Sequence, residues 1–220
     1  MKTNRLVLMF LLLWSAALFQ LAAQRTEVDQ KPIEEVKAKA DEGDADFELQ
    51  LALRYERGEG VTKDFGEAVK WFRKAAEQNL AEAQYILGQC YENGEGVAKD
   101  QVEAVKWYRK AAEQNFAKAQ SELGFCYKHG EGVTKNEVEA VKWYRKAAEQ
   151  NYAEAQSNLG DCYDNGRGVA KDYVEAYKWL MLAAGQGDGN AKNTIAILQK
   201  KMTPEQIAQG QKLVRDFKPR

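Results

Sequence analysis

The sequence predicts an all-α solenoid of about four 36-residue helix-turn-helix repeats closed by capping helices, and three observations point to it. The stretch "WYRKAAEQN" occurs at Trp107–Asn115 and again, letter for letter, at Trp143–Asn151, with "WFRKAAEQN" opening at Trp71 and "WLMLAAGQG" at Trp179. A glycine turn recurs in step, since Gly58, Gly94, Gly130 and Gly166 each open a Gly-x-Gly-Val stretch and lie 36 residues apart. Between these markers the apolar residues recur at three and four positions, the spacing of a helix face rather than of a strand. Periodic helix pairs of this length stack into a continuous core that no single unit could bury alone.

The organisation follows in chain order. Residues 1–23 read as a secretory signal: Lys2 and Arg5 form a basic front, Leu6–Phe19 an apolar run, and Leu21-Ala22-Ala23 a small-residue cleavage site. An uncleaved anchor is the competing reading, because the run approaches the roughly 18 residues of a spanning helix; Gln20 interrupts it and Ala22-Ala23 suits the peptidase. Cleavage would leave no stable membrane span. Residues 24–44 are a linker and capping helix, with Pro32–Asp41 fitting a degenerate second helix. Residues 45–80, 81–116, 117–152 and 153–188 are the repeats, and 189–220 hold a degenerate first helix at Ala191–Gln199 and a final capping helix.

Within a repeat, the first helix is expected from about Ala81 to Asn93, with Ala83, Leu87, Cys90 and Tyr91 on its buried side and Asn93-Gly94 as a left-handed stop. The second helix opens on a capping residue followed three positions later by Glu: Asp64/Glu67, Asp100/Glu103, Asn136/Glu139 and Asp172/Glu175. That pattern predicts a capping box, in which cap oxygen and Glu carboxylate satisfy two orphaned backbone donors. Ala104, Trp107, Tyr108 and Ala111 then form an interlocking stripe. Gly88, Gly124 and Gly160 fall mid-helix, where Gly costs about 1 kcal/mol relative to Ala; close approach of another helix backbone is the expected reason. Thr203-Pro204-Glu205-Gln206 starts the last helix, whose Ile207, Val214 and Phe217 are placed to cover the final apolar face.

The combination Ala-x-x-x-Leu-Gly-x-x-Tyr, Gly-x-Gly-Val, a capping Asp and Ala-x-x-Trp-x-x-Lys-Ala-Ala, written out at Ala81–Asn115 and its copies, resembles the Sel-1-like repeat. The resemblance spans about Ala45 to Gln199 and implies a right-handed α/α solenoid related to tetratricopeptide repeats. Its members usually work as adaptors or scaffolds for protein complexes. Exported bacterial members are linked to host contact, envelope processes or signalling, which implies a periplasmic or secreted protein here. Cysteine-rich relatives with paired cysteines in each repeat include proteins described as binding or hydrolysing β-lactams. This chain departs from them, having only Cys90, Cys126 and Cys162, one per unit at the same position. Equivalent sites in stacked units should exceed the roughly 7 Å Cα limit for a disulfide. They read as small buried side chains, with intermolecular pairing of an odd thiol as the alternative.

Function is narrowed mostly by exclusion. A formal net charge of −1, with Lys and Arg interleaved among Glu, provides no footprint for nucleic acid. His129 is the only histidine, no Ser-x-x-Lys is present, and the Gly-x-Gly-Val turns lack a P-loop lysine. No metal, cofactor or catalytic group is therefore assigned, and a monomeric, non-enzymatic scaffold is expected, the alternative being a secreted hydrolase or β-lactam-binding protein. Comparison of the copies narrows it further. Between Ala81–Phe116 and Ala117–Tyr152 the second helix is unchanged from Glu103 to Asn115, while the first differs at Glu82/Lys118, Tyr85/Ser121, Ile86/Glu122, Gln89/Phe125, Glu92/Lys128 and Asn93/His129. These offsets share one helix face. By resemblance that face lines the concave side of the superhelix. Tyr85, Ile86, Gln89, Glu92, Phe125, Lys128, His129, Asp161 and Asp164 are accordingly the candidate groove for an unidentified protein or peptide.

Overall fold

The computed structural model describes residues 31–219, and the expected signal segment lies outside them. Among the described residues, eleven α-helices and one short 3-10 turn account for the regular structure. A capping helix α1 (Ile33–Asp41) precedes four helix pairs: α2 (Ala45–Arg57) with α3 (Phe65–Glu77), α4 (Ala81–Asn93) with α5 (Gln101–Glu113), α6 (Ala117–His129) with α7 (Glu137–Glu149), and α8 (Ala153–Asn165) with α9 (Tyr173–Gly185). The chain closes with α10 (Gly189–Leu198), the turn Gln199–Lys201 and α11 (Pro204–Asp216). From α1 to α10 each helix packs on its chain neighbours, and α11 skips α10 to fold back onto α9, so the fold is an all-α solenoid.

Every first helix buries the same side. Leu51, Leu87, Leu123 and Leu159 are fully inside, and Ala104, Tyr108 and Ala111 of α5 recur as Ala140, Tyr144 and Ala147 of α7. Arginine–tyrosine hydrogen bonds tie the second helices of the first three units to the unit that follows: the Arg73, Arg109 and Arg145 guanidinium groups donate to the hydroxyls of Tyr91, Tyr127 and Tyr163 at 2.6, 2.7 and 2.7 Å. A glutamine spine runs beside them. Nε2 of Gln84, Gln120 and Gln156 donates to the Ala76, Ala112 and Ala148 carbonyls, and their Oε1 atoms accept from Gln114, Gln150 and Gln186 at 2.7–2.8 Å. The first unit has Glu48 in this slot, where it accepts from Gln78 at 2.8 Å. Burial raises the Glu48 carboxyl above its usual range, with the Gln78 hydrogen bond opposing.

Two expectations are corrected in their physical detail. The side chains of Asp64, Asp100, Asn136 and Asp172 do accept from first-turn amides. The reciprocal glutamate half of the box is absent, because the cap amides already donate to the carbonyls of Tyr55, Tyr91, Tyr127 and Tyr163 in the preceding helices. Glu67, Glu103, Glu139 and Glu175 turn outward to Lys70, Lys106, Lys142 and Lys178 instead. Only Thr203 with Gln206 makes a complete box among the described helices. The mid-helix glycines, secondly, make room for side chains rather than chiefly for backbone: a Cβ on Gly88 would lie 2.6 Å from the Tyr108 ring, and one on Gly124 2.8 Å from Tyr144. In the first unit, Ala52 stands where these glycines stand and Phe72 where the tyrosines stand.

The second turn glycine interlocks the units. Gly132 has φ +64°, and a Cβ there would lie 2.0 Å from the Gln101 carbonyl oxygen of the preceding unit. At the ends, Val36 and Ala40 of α1 cover Leu51, while Phe217 meets Trp179 edge-on at 5.6 Å.

Candidate partner-binding face

The face that differs between the copies is built by positions 2, 5, 6, 9 and 12 of each first helix, residues that share one side at helical spacing. Two clusters form on it. In the first, the Tyr85 hydroxyl accepts from Gln89 Nε2 at 2.9 Å, and its ring lies 5.9 Å from that of Tyr108 and 5.4 Å from that of Phe116. The fully buried Tyr108 donates its hydroxyl to Glu92 Oε2 at 2.7 Å. Tyr152 donates likewise to Glu154 Oε2 at 3.0 Å.

Glu122 joins these groups. Its carboxyl is pushed up to about 7, first by burial and then by the charges of Glu154 and Glu92. Burial raises the Tyr85 phenol to about 12, with Glu122, Glu154 and Glu92 adding to the effect. Burial raises Tyr152 too, assisted by Glu154, Tyr85 and Glu122. Tyr85 belongs to the second unit and Glu154 to the fourth. Among the described residues no lysine or arginine forms an ion pair with Glu92, Glu122 or Glu154.

The second cluster is mixed in charge. Lys128 donates to Asn158 Oδ1 at 3.4 Å, and its charge partly offsets the burial that raises the Asp161 carboxyl. The rings of Phe125 and His129 lie 4.3 Å apart, with His129 exposed. Ile86 is half-buried against the core. Asp164 departs from the expected groove: it is buried and paired with Lys201 at 3.2 Å, because the turn after α10 brings that ammonium group over it. The sequence comparison registered Glu122 only as a difference between copies and missed Tyr152 and Glu154. Tyr152 precedes its helix, where the other units have Leu80 and Phe116, so its break from a purely apolar slot was the available signal.

Cys90, Cys126 and Cys162 are free and buried. Burial pushes the Cys90 and Cys126 thiols up to about 12 and Cys162 to about 11, far from the thiolate form that nucleophilic chemistry requires. No helix of the described residues is long and apolar enough to cross a membrane.

The Sel1 repeat model matches residues 45–80, 81–116, 117–152 and 153–188. This chain belongs to the Sel1 repeat family. Sel1 repeat proteins are generally protein-interaction scaffolds. Among solved structures, a protective antigen of uropathogenic Escherichia coli with the same repeat fold superposes with a TM-score of 0.78 at 40% identity, covering 84% of this chain and 41% of that one. A Sel1 repeat protein from Oxalobacter formigenes superposes with a TM-score of 0.75 at 35% identity, covering 88% of this chain and 82% of the other. The secretory immunoglobulin A-binding protein EsiB of Escherichia coli is 47% identical over 43 residues, which are 20% of this chain and only 9% of EsiB.

Proposed function

We propose that this Sel1 repeat protein is an exported, non-enzymatic scaffold that binds a peptide or protein segment as a monomer in the groove lined by α4, α6 and α8. One observation carries the reading: between the second and third units one face of the first helix changes while the second helix repeats unchanged from Glu103–Asn115 to Glu139–Asn151, exposed charges included. Stability asks every unit for the same buried seam, whereas recognition of a non-repeating ligand asks each unit for different side chains. The relative named for binding immunoglobulin A supports protein as the class of partner. The signal-like Lys2–Ala23 segment supports export.

The test is a displayed library of twelve-residue peptides panned against the chain. Enriched sequences should bind in solution and lose at least tenfold in affinity on Phe125→Ala or Lys128→Glu, with the helical spectrum unchanged. Failure to enrich any peptide, or full binding by both variants, would overturn the groove. Turnover of β-lactam or ester substrates that one side-chain change abolishes would establish the hydrolase alternative.

A further inference from the structure

The second helices carry an uncovered apolar strip, and the chain itself shows what kind of element fits it. Between α7 and the turn that precedes α9 lies a cavity of about 460 Å³. Val138, Val141 and Val169 supply its apolar wall, and Lys142, Arg145 and Lys146 its edge. Val138 is 53% exposed, and Val102, its counterpart one unit earlier, 52%. A lone exposed valine is ordinary, whereas two in register, one of them walling a groove, mark a surface shaped for contact.

In the fourth unit the same face is occupied. Tyr177 and Lys178 of α9 stand where Val141 and Lys142 stand in α7, and α11 lies against α9. Gly210, the one buried residue of α11, approaches so closely that a Cβ there would lie 2.6 Å from the Tyr177 ring. Met181 and Leu182 take the places of Arg145 and Lys146 and join the apolar cluster that Ile207 and Phe217 enter from the other side. An amphipathic helix is therefore the element that covers this face, and the side chains at the edge set the charge it needs. With Val141 in place of the tyrosine, the third unit leaves room for an apolar side chain where α11 has glycine. With cations in place of Met181 and Leu182, its edge complements acidic residues. Lys142 is paired with Glu139, but among the described residues neither Arg145 nor Lys146 forms an ion pair. Arg145 donates to the Tyr163 hydroxyl, and the Lys146 ammonium lies 4.0 Å from the Trp143 ring centroid. Glu149 is the one carboxylate that lines the cavity.

We infer that the groove of α7 docks one acidic amphipathic helix of a partner protein, apolar toward Val138 and Val141 and carrying carboxylates toward Arg145 and Lys146. The helix takes on α7 the place that α11 takes on α9. The site is built by second helices and a turn, apart from the variable face of the first helices, so it stands whether or not that face binds a peptide. In α5 the set recurs as Val102, Val105, Arg109 and Lys110.

The probe is a fluorescent peptide of the α11 segment, Thr203–Phe217, held helical by a staple on its exposed side. Gly210→Leu fits the peptide to the smaller Val141 and excludes it from Tyr177, while Lys212→Glu with Arg215→Glu makes it acidic. This peptide should bind the chain saturably by fluorescence anisotropy, and the same peptide with Lys212 and Arg215 retained should bind at least tenfold more weakly. Val102→Asp with Val138→Asp in the protein, both at exposed positions, should weaken the acidic peptide at least tenfold with the helical spectrum unchanged. Lys110→Glu with Lys146→Glu should do the same, whereas Lys192→Glu with Lys200→Glu, an equal charge change at the exposed end of the stack, should leave binding intact. Absence of saturable binding at millimolar protein, equal affinity for the two peptides, or full binding by the double aspartate variant would overturn the docking site. Equal losses from the two lysine pairs would reduce the effect to general charge attraction and overturn it too.

Discussion

Glu122→Gln is the sharpest probe of the variable face, because it should stabilise the free protein. The carboxyl is raised from 4.5 to about 7 by burial and by its neighbours Glu154 and Glu92. At about 1.4 kcal/mol per pH unit this corresponds to roughly 3 kcal/mol between the charged and neutral forms. Glu122 keeps some solvent contact, so screening reduces the expected effect to about 1–2 kcal/mol. The sign follows from proton binding. Between 4.5 and about 7 the folded chain holds a proton that the unfolded chain has lost, so folding stability falls as pH rises through that window. Below 4.5 both states are protonated and the penalty disappears. Gln cannot ionise, so the advantage of the variant should be near zero at pH 4, grow between 4.5 and 7, and level off above that. Urea denaturation of parent and variant at intervals from pH 4 to pH 8 measures it. An advantage that does not change with pH, or a variant less stable at pH 8, would refute the electrostatic argument.

Glu48→Gln restores the spine residue of the other three units and should stabilise the protein by about 1 kcal/mol at neutral pH, as the buried charge is removed and the Gln78 contact is kept. Since burial raises the Glu48 carboxyl, the gain should shrink on acidification, which thermal melts at two pH values would show. Gly130→Ala and Gly132→Ala separate turn strain from interlocking. Both residues have positive φ, but only at Gly132 would a Cβ meet backbone at 2.0 Å, so Gly130→Ala should cost about 1 kcal/mol and Gly132→Ala at least about 3 kcal/mol in urea titrations. The three thiols should resist a disulfide-exchange reagent at pH 8 in the native protein and react fully in urea; rapid native labelling would contradict their burial.

The repeat period, both helices of each unit, the glycine stops and the capping helices were all legible in the sequence, because each depends on residues within a few positions of one another. The capped second helices show where that legibility ends. Asp100 caps α5 as its local pattern requires, but whether Glu103 completes the box depends on whether the cap amide is free, and the Tyr91 carbonyl of the previous helix has taken it. Gln84, Gln120 and Gln156 are buried, and their recurrence at one position of the first helix is the only mark of that role in the sequence.

The candidate site divides in the same way. Comparing copies identified the variable face, since a surface position that changes while its surroundings repeat is visible without coordinates. It also placed Asp164 on that face, which Lys201, thirty-seven positions later, instead covers. Tyr85, Glu122 and Glu154 come from three successive units, and burial with one another's charge raises the Tyr85 and Glu122 groups, while the buried Tyr144 hydroxyl is left without a hydrogen-bond partner. The sequence by itself determined the frame, because helix pairing, turns and the buried seam are short-range consequences of side-chain pattern. Only the tertiary structure decided which charges converge and which hydroxyl is left without a partner, because those depend on the path of the whole solenoid through space.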